Sequence, residues 1–168
     1  AAASAPGARI LAKGLLPSGG NVTHVYGGAG GMFGDWFEPL SRGEAPTIVG
    51  DGTNHWPLVH ADDLGEAYRL IAESSLAGQI LNITDRSRET VSAMVAAASE
   101  AAGFKGKPRY VPVEEAARTL GTFAECLTLD QHVDSSKAAR LLGWQPRHGG
   151  FSDRVEVHYR AWRALKGV

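Results

Sequence analysis

Any chemistry in this chain of 168 residues has to come from a short stock of groups. Its tyrosines, Tyr26, Tyr68, Tyr110 and Tyr159, are followed four positions later by Gly30, Ala72, Glu114 and Arg163. A Lys one helical turn after a Tyr would lower the phenol's pKa through its positive charge and suit it to acid/base work. None of the four has that Lys, so no catalytic residue is assigned. Gly28, Gly31 and Gly34 stand at the spacing G-x-x-G-x-x-G after an extended run, as in loops that cradle a dinucleotide pyrophosphate. The acidic residue such a loop needs would be Asp51, only 17 positions beyond Gly34 and inside a Gly-Asp-Gly turn. A strand–helix–strand unit takes about 30 residues. The glycines are therefore read as the turn that follows a strand.

Six histidines, His24, His55, His60, His132, His148 and His158, raise the question of a metal. No two have the close helical spacing of a zinc motif, and Cys126 adds one ligand at most, so no metal site is expected. Asp62 and Asp63 look like paired carboxylates, but a helix cap accounts for Asp63. His55 and Trp56 precede a strand and could line a pocket; core capping by Trp56 is the competing role. Met32, Phe33, Trp36 and Phe37 form an apolar cluster that either walls a cleft or packs a core.

The elements that must position these groups alternate. Residues 8–16 have weak helical character. Extended runs are expected at 21–26, 47–49, 57–60, 79–84 and 109–113, from β-branched and aromatic residues between turn signals. Helices are expected over 35–42, from Asp63, from about Thr90 to Gly103, over 114–129 despite Gly121, over 135–142 and from Ser152 onward. Asp63 and Glu66 have capping-box spacing, and Phe151 is placed to staple the last helix. Strands alternating with helices make this an α/β chain.

A chain of this length buries roughly 70% of its extended surface and is most simply one domain. The formal net charge is -1, with both signs interspersed and no Lys/Arg run. That removes the electrostatic footprint of a nucleic-acid binder. No apolar stretch approaches the roughly 20 residues of a membrane span. The single Cys126 cannot form an internal disulfide, which points to a reducing, cytoplasmic setting. Residues 1–20 lack both an initiator Met and an apolar signal core, and the chain is expected to be a processed product or a fragment.

Three motifs in order resemble one family: Val25-Tyr26-Gly27, then Gly50-Asp51-Gly52 leading through Val59 to Asp62-Asp63-Leu64, then Leu142-Gly143-Trp144-Gln145-Pro146. This order is similar to the carboxy-terminal half of the extended short-chain dehydrogenases, the NAD-dependent epimerase/dehydratase family. The resemblance covers residues 21–168, with 1–20 as an N-terminal segment. It implies the last strands of a partial Rossmann-type parallel sheet, joined to a small α/β substrate-binding subdomain. It also implies NAD or NADP as cofactor, with Val22 and Thr23 at the strand end beside it, and Tyr26, Met32, Phe33, His55 and Trp56 around the substrate.

Two departures qualify the activity. The family's Arg-Pro before Val-Tyr-Gly is replaced by Asn21-Val22, and the phosphate-gripping Arg of sugar-nucleotide members by His55 or Trp56. Neither imidazole nor indole reproduces a guanidinium fork, which favours a smaller, less charged substrate of sugar or alcohol/ketone type. With the Tyr-Lys pair and the phosphate loop absent, the expected role is substrate binding without turnover by this chain alone. A separate cofactor-binding half or a second copy is the expected partner; nucleic acid and membrane are not. The alternative is a non-catalytic module of the same fold that binds a small molecule or a protein.

Overall fold

Short β-rich runs bounded by turn residues become strands, and every strand pairing described is parallel. The computed structural model describes residues 9–10, 24–27, 32–76 and 79–168. In chain order the elements are β1 (Arg9–Ile10), β2 (His24–Tyr26), α1 (Gly34–Ser41), β3 (Thr47–Val49), β4 (Leu58–His60), α2 (Ala61–Glu73) and β5 (Ile80–Leu81). There follow α3 (Val91–Ala101), β6 (Arg109–Val111), α4 (Val113–Leu120), α5 (Phe123–Thr128), α6 (Ser136–Leu142), a 3-10 turn at Ser152–Arg154 and α7 (Val155–Lys166). β1 pairs with β5, β2 with β4, and β3 with β6. Parallel pairing requires a crossover between partners, and helices supply it in each case. The molecule is α/β, as expected.

The register of β2 on β4 places His24 opposite Leu58, Val25 opposite Val59 and Tyr26 opposite His60. β4 is buried along its whole length, so its run of Leu58, Val59 and His60 does not alternate between apolar and polar. One core cluster gathers Tyr26, Phe33, Trp36, Phe37, Trp56, Phe151, Tyr159 and Trp162 under α1, α3 and α7. A second packs Val59, Ala67, Ile71, Leu81, Ile83 and Trp144 between α2 and α6. β3 and β6 carry a third, smaller one around Val111, Ala116 and Ala124. Among the described residues no helix is long and apolar enough to cross a membrane.

Four local expectations are corrected. Arg9 and Ile10, placed in a weak helix by the sequence, are extended and pair with Ile80 and Leu81. The long helix expected over 114–129 is two helices, α4 and α5, because Gly121 takes φ 59° and ψ -144° between them. The strand expected over 79–84 pairs only at Ile80–Leu81. Most consequentially, α2 is capped by His60, whose Nδ1 accepts from the Asp62 backbone N–H at 3.1 Å. Asp63 does not cap. Its Oδ2 accepts from the backbone N–H groups of Arg147 and His148, each at 3.0 Å, and its backbone carbonyl accepts from Trp144 Nε1 at 2.9 Å. The carboxylate thus ties α2 to the segment after α6. Thr90, by contrast, caps α3, accepting from Ala93 N–H at 3.2 Å.

Candidate functional site

Two clefts of comparable size flank the strand β4 and the turn before it. One, of about 240 Å³, is lined by Pro57, Leu58, Asp85, Arg86, Arg88 and His132 among others. The other, of about 230 Å³, lies between α1, β3 and α5, with walls of Met32, Trp36, Ile48, Trp56, Phe123 and Leu127. The second is apolar and aromatic. Among the described residues its lining includes one carboxyl, Asp35, and neither Lys nor Arg. Burial, and then Glu38 nearby, pushes the Asp35 pKa up.

The aromatic wall is fixed by stacking. Trp36 and Trp56 lie 5.6 Å apart with their rings 12° from parallel. Trp56 Nε1 donates to the Leu127 carbonyl at 3.1 Å, so the polar edge of a buried indole is satisfied. Asn54 fastens the same segment, donating from its side-chain amide to the carbonyls of Leu127 and Leu129 at 3.0 and 3.2 Å. Of the residues the sequence groups around a substrate, Met32 and Trp56 share this cleft. Tyr26 and Phe33 lie behind it in the core, 1% and 3% exposed. Phe33 stacks on Phe151 at 4.4 Å. His55 faces elsewhere, toward Asp130 and His132. Val22 and Thr23 lie outside the described residues.

Beneath the strands sits a cluster of imidazoles that sequence spacing gives no hint of, because it draws on β4, the segment after α6, and α7. His60 and His148 stack at 3.6 Å, with His158 at 5.5 Å from His60. The Tyr26 ring meets His60 and His158 edge-on at 5.2 and 5.4 Å. Burial lowers the His158 pKa to about 4, with the neighbouring imidazoles adding to the effect. His24 falls to about 4 through burial alone, and His60 is lowered by burial and by His148. These rings are therefore neutral at neutral pH. Burial, followed by Asp85, raises the Tyr26 pKa, and burial raises that of Asp85. The Tyr26 hydroxyl and the Asp85 carboxyl perturb one another, yet among the described residues neither the hydroxyl nor Asp85 Oδ2 makes a hydrogen bond of good geometry. A phenol shifted upward cannot serve as a base near neutral pH.

Among the described residues two groups of side chains have metal-ligand chemistry: His55, Asp130 and His132, and His60, Asp62 and His148, the ligand atoms of each lying within 4.8 Å of one another. A pyrophosphate finds less. Helix α1 opens with Asp35 in its first turn, which places a carboxylate where a bound anion would need positive potential. The N-terminus of α1 thus does not fit the phosphates of a dinucleotide.

Residues 11–84 match the sequence profile described as "NAD dependent epimerase/dehydratase family". The chain is 30% identical over 128 residues to a 2'-dehydrokanamycin reductase of Streptomyces kanamyceticus, an overlap that takes in 74% of this chain and 36% of the reductase. Its fold is that of a UDP-glucose 4-epimerase from Thermotoga maritima solved with UDP-glucose, at TM-score 0.69 and 24% identity over 86% of this chain and 46% of that one. It is shared equally with a human epimerase family protein solved with NADPH, at TM-score 0.70 and 20% identity over 83% and 47%. The chain spans 19% to 37% of the length of the curated relatives it matches.

Proposed function

We propose that the chain, whose residues 11–84 match the NAD-dependent epimerase/dehydratase family, is the substrate-binding portion of an NAD(P)-dependent reductase, epimerase or dehydratase. Its substrate is a small, uncharged sugar or a ketone/alcohol, held in the cleft of Met32, Trp36 and Trp56. The observation that carries this is the make-up of that cleft: stacked indoles, one carboxyl and no cation among the described lining residues. Aromatic faces suit the C–H faces of a sugar ring or an apolar ketone, whereas a nucleotide diphosphate would meet a carboxylate in place of a guanidinium. The name of the Streptomyces relative, 2'-dehydrokanamycin reductase, fits a carbonyl substrate.

The portion works with a cofactor-binding half, carried on the same polypeptide or on a partner, because no Tyr here is followed by the Lys that hydride chemistry requires. Nicotinamide supplies the hydride when such a half is present; the residues of this chain bind, orient and exclude water.

The test uses the indoles as reporters. A deoxy-keto sugar and UDP-glucose are titrated separately into the chain while tryptophan fluorescence is followed. Saturable quenching by the keto sugar, lost in Trp56→Leu and absent with UDP-glucose, is expected. Tighter binding of UDP-glucose, or no response to either ligand by the folded chain, overturns the assignment. A second reading, the non-catalytic binding module, is favoured by the missing Tyr-Lys pair. It makes the opposite forecast when a family cofactor-binding half is added: no nicotinamide-dependent turnover.

A further inference from the structure

We propose that His55, Asp130 and His132 form a binding site for a divalent transition-metal ion of the Zn²⁺ class. His55 Nδ1 lies 2.8 Å from Asp130 Oδ1, and His132 Nε2 lies 3.9 Å from the same oxygen. The two imidazole centroids are 4.7 Å apart, with the rings inclined at 41°. Bound to one ion at about 2.0–2.2 Å in tetrahedral geometry, two ligand atoms are separated by about 3.4 Å. One observed separation is roughly half an ångström short of that value and the other about half an ångström long. Rotation of exposed side chains covers both.

The ligands sit on two chain segments already tied together. The His55 backbone N–H donates to Asp130 Oδ1 at 2.9 Å, and the Gln131 N–H donates to the His55 carbonyl at 3.0 Å. Asn54, next to His55, ties the same segment through the Leu127 and Leu129 carbonyls. The backbone is thereby organised before any ion arrives, which lowers the ordering cost of binding. Solvent reaches the site: the side chains of His55, Asp130 and His132 are 26%, 59% and 52% exposed. An ion would displace the proton that now bridges His55 and Asp130.

The donor set selects the ion class. Two imidazoles and one carboxylate suit Zn²⁺, Co²⁺ or Ni²⁺, whereas Ca²⁺ and Mg²⁺ prefer oxygen alone. Three protein ligands leave a position for water. His132 also lines the cleft that holds Arg86, Arg88, Asp85 and Asp134, so that open position borders a surface of mixed charge.

The second cluster is the weaker candidate. His60 Nδ1 already accepts the Asp62 N–H, and His148 Nδ1 is engaged by Asp63 at 3.0 Å. Its rings are stacked within 13° of parallel, so their in-plane lone pairs run side by side and do not converge. Sequence spacing conceals the favoured site as well, since His55 and His132 meet only when the segment after α5 folds back on the turn before β4.

The test is calorimetric titration of ZnCl₂ into chelator-treated chain, with the d–d absorption of added Co²⁺ reporting geometry. One equivalent bound, and a tetrahedral or five-coordinate Co²⁺ spectrum, are expected. His132→Ala and Asp130→Asn should each weaken binding at least tenfold, while His148→Ala leaves it unchanged. His132 is half exposed, so its replacement empties no core position, and circular dichroism of the variant checks that the fold persists. Unaltered affinity in folded His132→Ala, loss of binding in His148→Ala, or no stoichiometric binding by the unmodified chain overturns the site.

Discussion

His24 and His158 are 5% and 6% exposed, and burial holds each near a pKa of about 4. Both rings are neutral in the folded state between that value and the ordinary 6.5, where the unfolded chain takes up a proton. Their contribution is fully present above pH 6.5 and is lost as the pH falls toward 4. Because a tenfold change in proton affinity is worth about 1.4 kcal/mol, the loss amounts to about 3 kcal/mol per ring by pH 4. Asp85 runs the other way: its raised pKa means the folded state binds its proton first, which offsets part of the loss at the acid end. Urea midpoints measured from pH 8 to pH 4.5 should be level above pH 7 and fall steadily below 6.5. His158→Asn should make that fall shallower. A midpoint independent of pH across 6.5 to 4.5 would mean that these imidazoles titrate as free ones do. Their burial was only partly legible in the sequence. His24 and His60 fall in runs recognisable as strands, but nothing near His158 reveals that α7 turns it toward Tyr26 and His60.

At the scale of elements, the departures from expectation share a cause: a residue with a sound local role was taken by a distant partner or a backbone constraint. Asp63 stands at a good capping position, yet its carboxylate accepts from Arg147 and His148 more than 80 positions away, and His60 takes over the cap. Local spacing cannot report such a contact, because a cap and a tertiary acceptor call for the same residue type. Gly121 is the other case. Apolar periodicity on both sides reads as one helix, but φ 59° with ψ -144° belongs to a region that side chains strongly disfavour. The two readings give opposite signs for Gly121→Ala. Within one continuous helix the change would stabilise by about 1 kcal/mol through propensity. At the observed backbone it should destabilise by about 1–3 kcal/mol, because Cβ strains the break between α4 and α5. Guanidinium denaturation of the variant decides the matter by the direction in which its midpoint moves. Gly121 has open space around its Cα, so no steric clash confuses the result.

For the whole molecule, the order of strands and helices was readable because each is announced by turn glycines, prolines and caps. The pairing was not, since which parallel strands adjoin is set by crossovers and core shape. The sequence likewise pointed to Met32 and Trp56, but only the fold puts them on one cleft, with Phe33 and Tyr26 behind them. The arrangement also bears on cofactor binding by the chain on its own. Dinucleotide sites draw on a helix N-terminus with positive potential, and α1 opens on Asp35. The arginine-bearing cleft holds Arg86 and Arg88 but also Asp85 and Asp134, so its field is mixed. A formal net charge of -1 adds no long-range attraction for an anionic cofactor. Titration of the isolated chain with NADH and then NADPH should therefore leave the emission of its tryptophans without a saturable change. Trp36 and Trp56 would report a ligand between α1 and β3, while Trp144 and Trp162 watch the two helix-packed faces. Saturable binding with Kd on the order of 10 μM, about -7 kcal/mol, would require phosphate contacts away from the N-terminus of α1. That outcome would move the cofactor site onto the chain itself and return the glycines at 28–34 to the role their spacing first brings to mind.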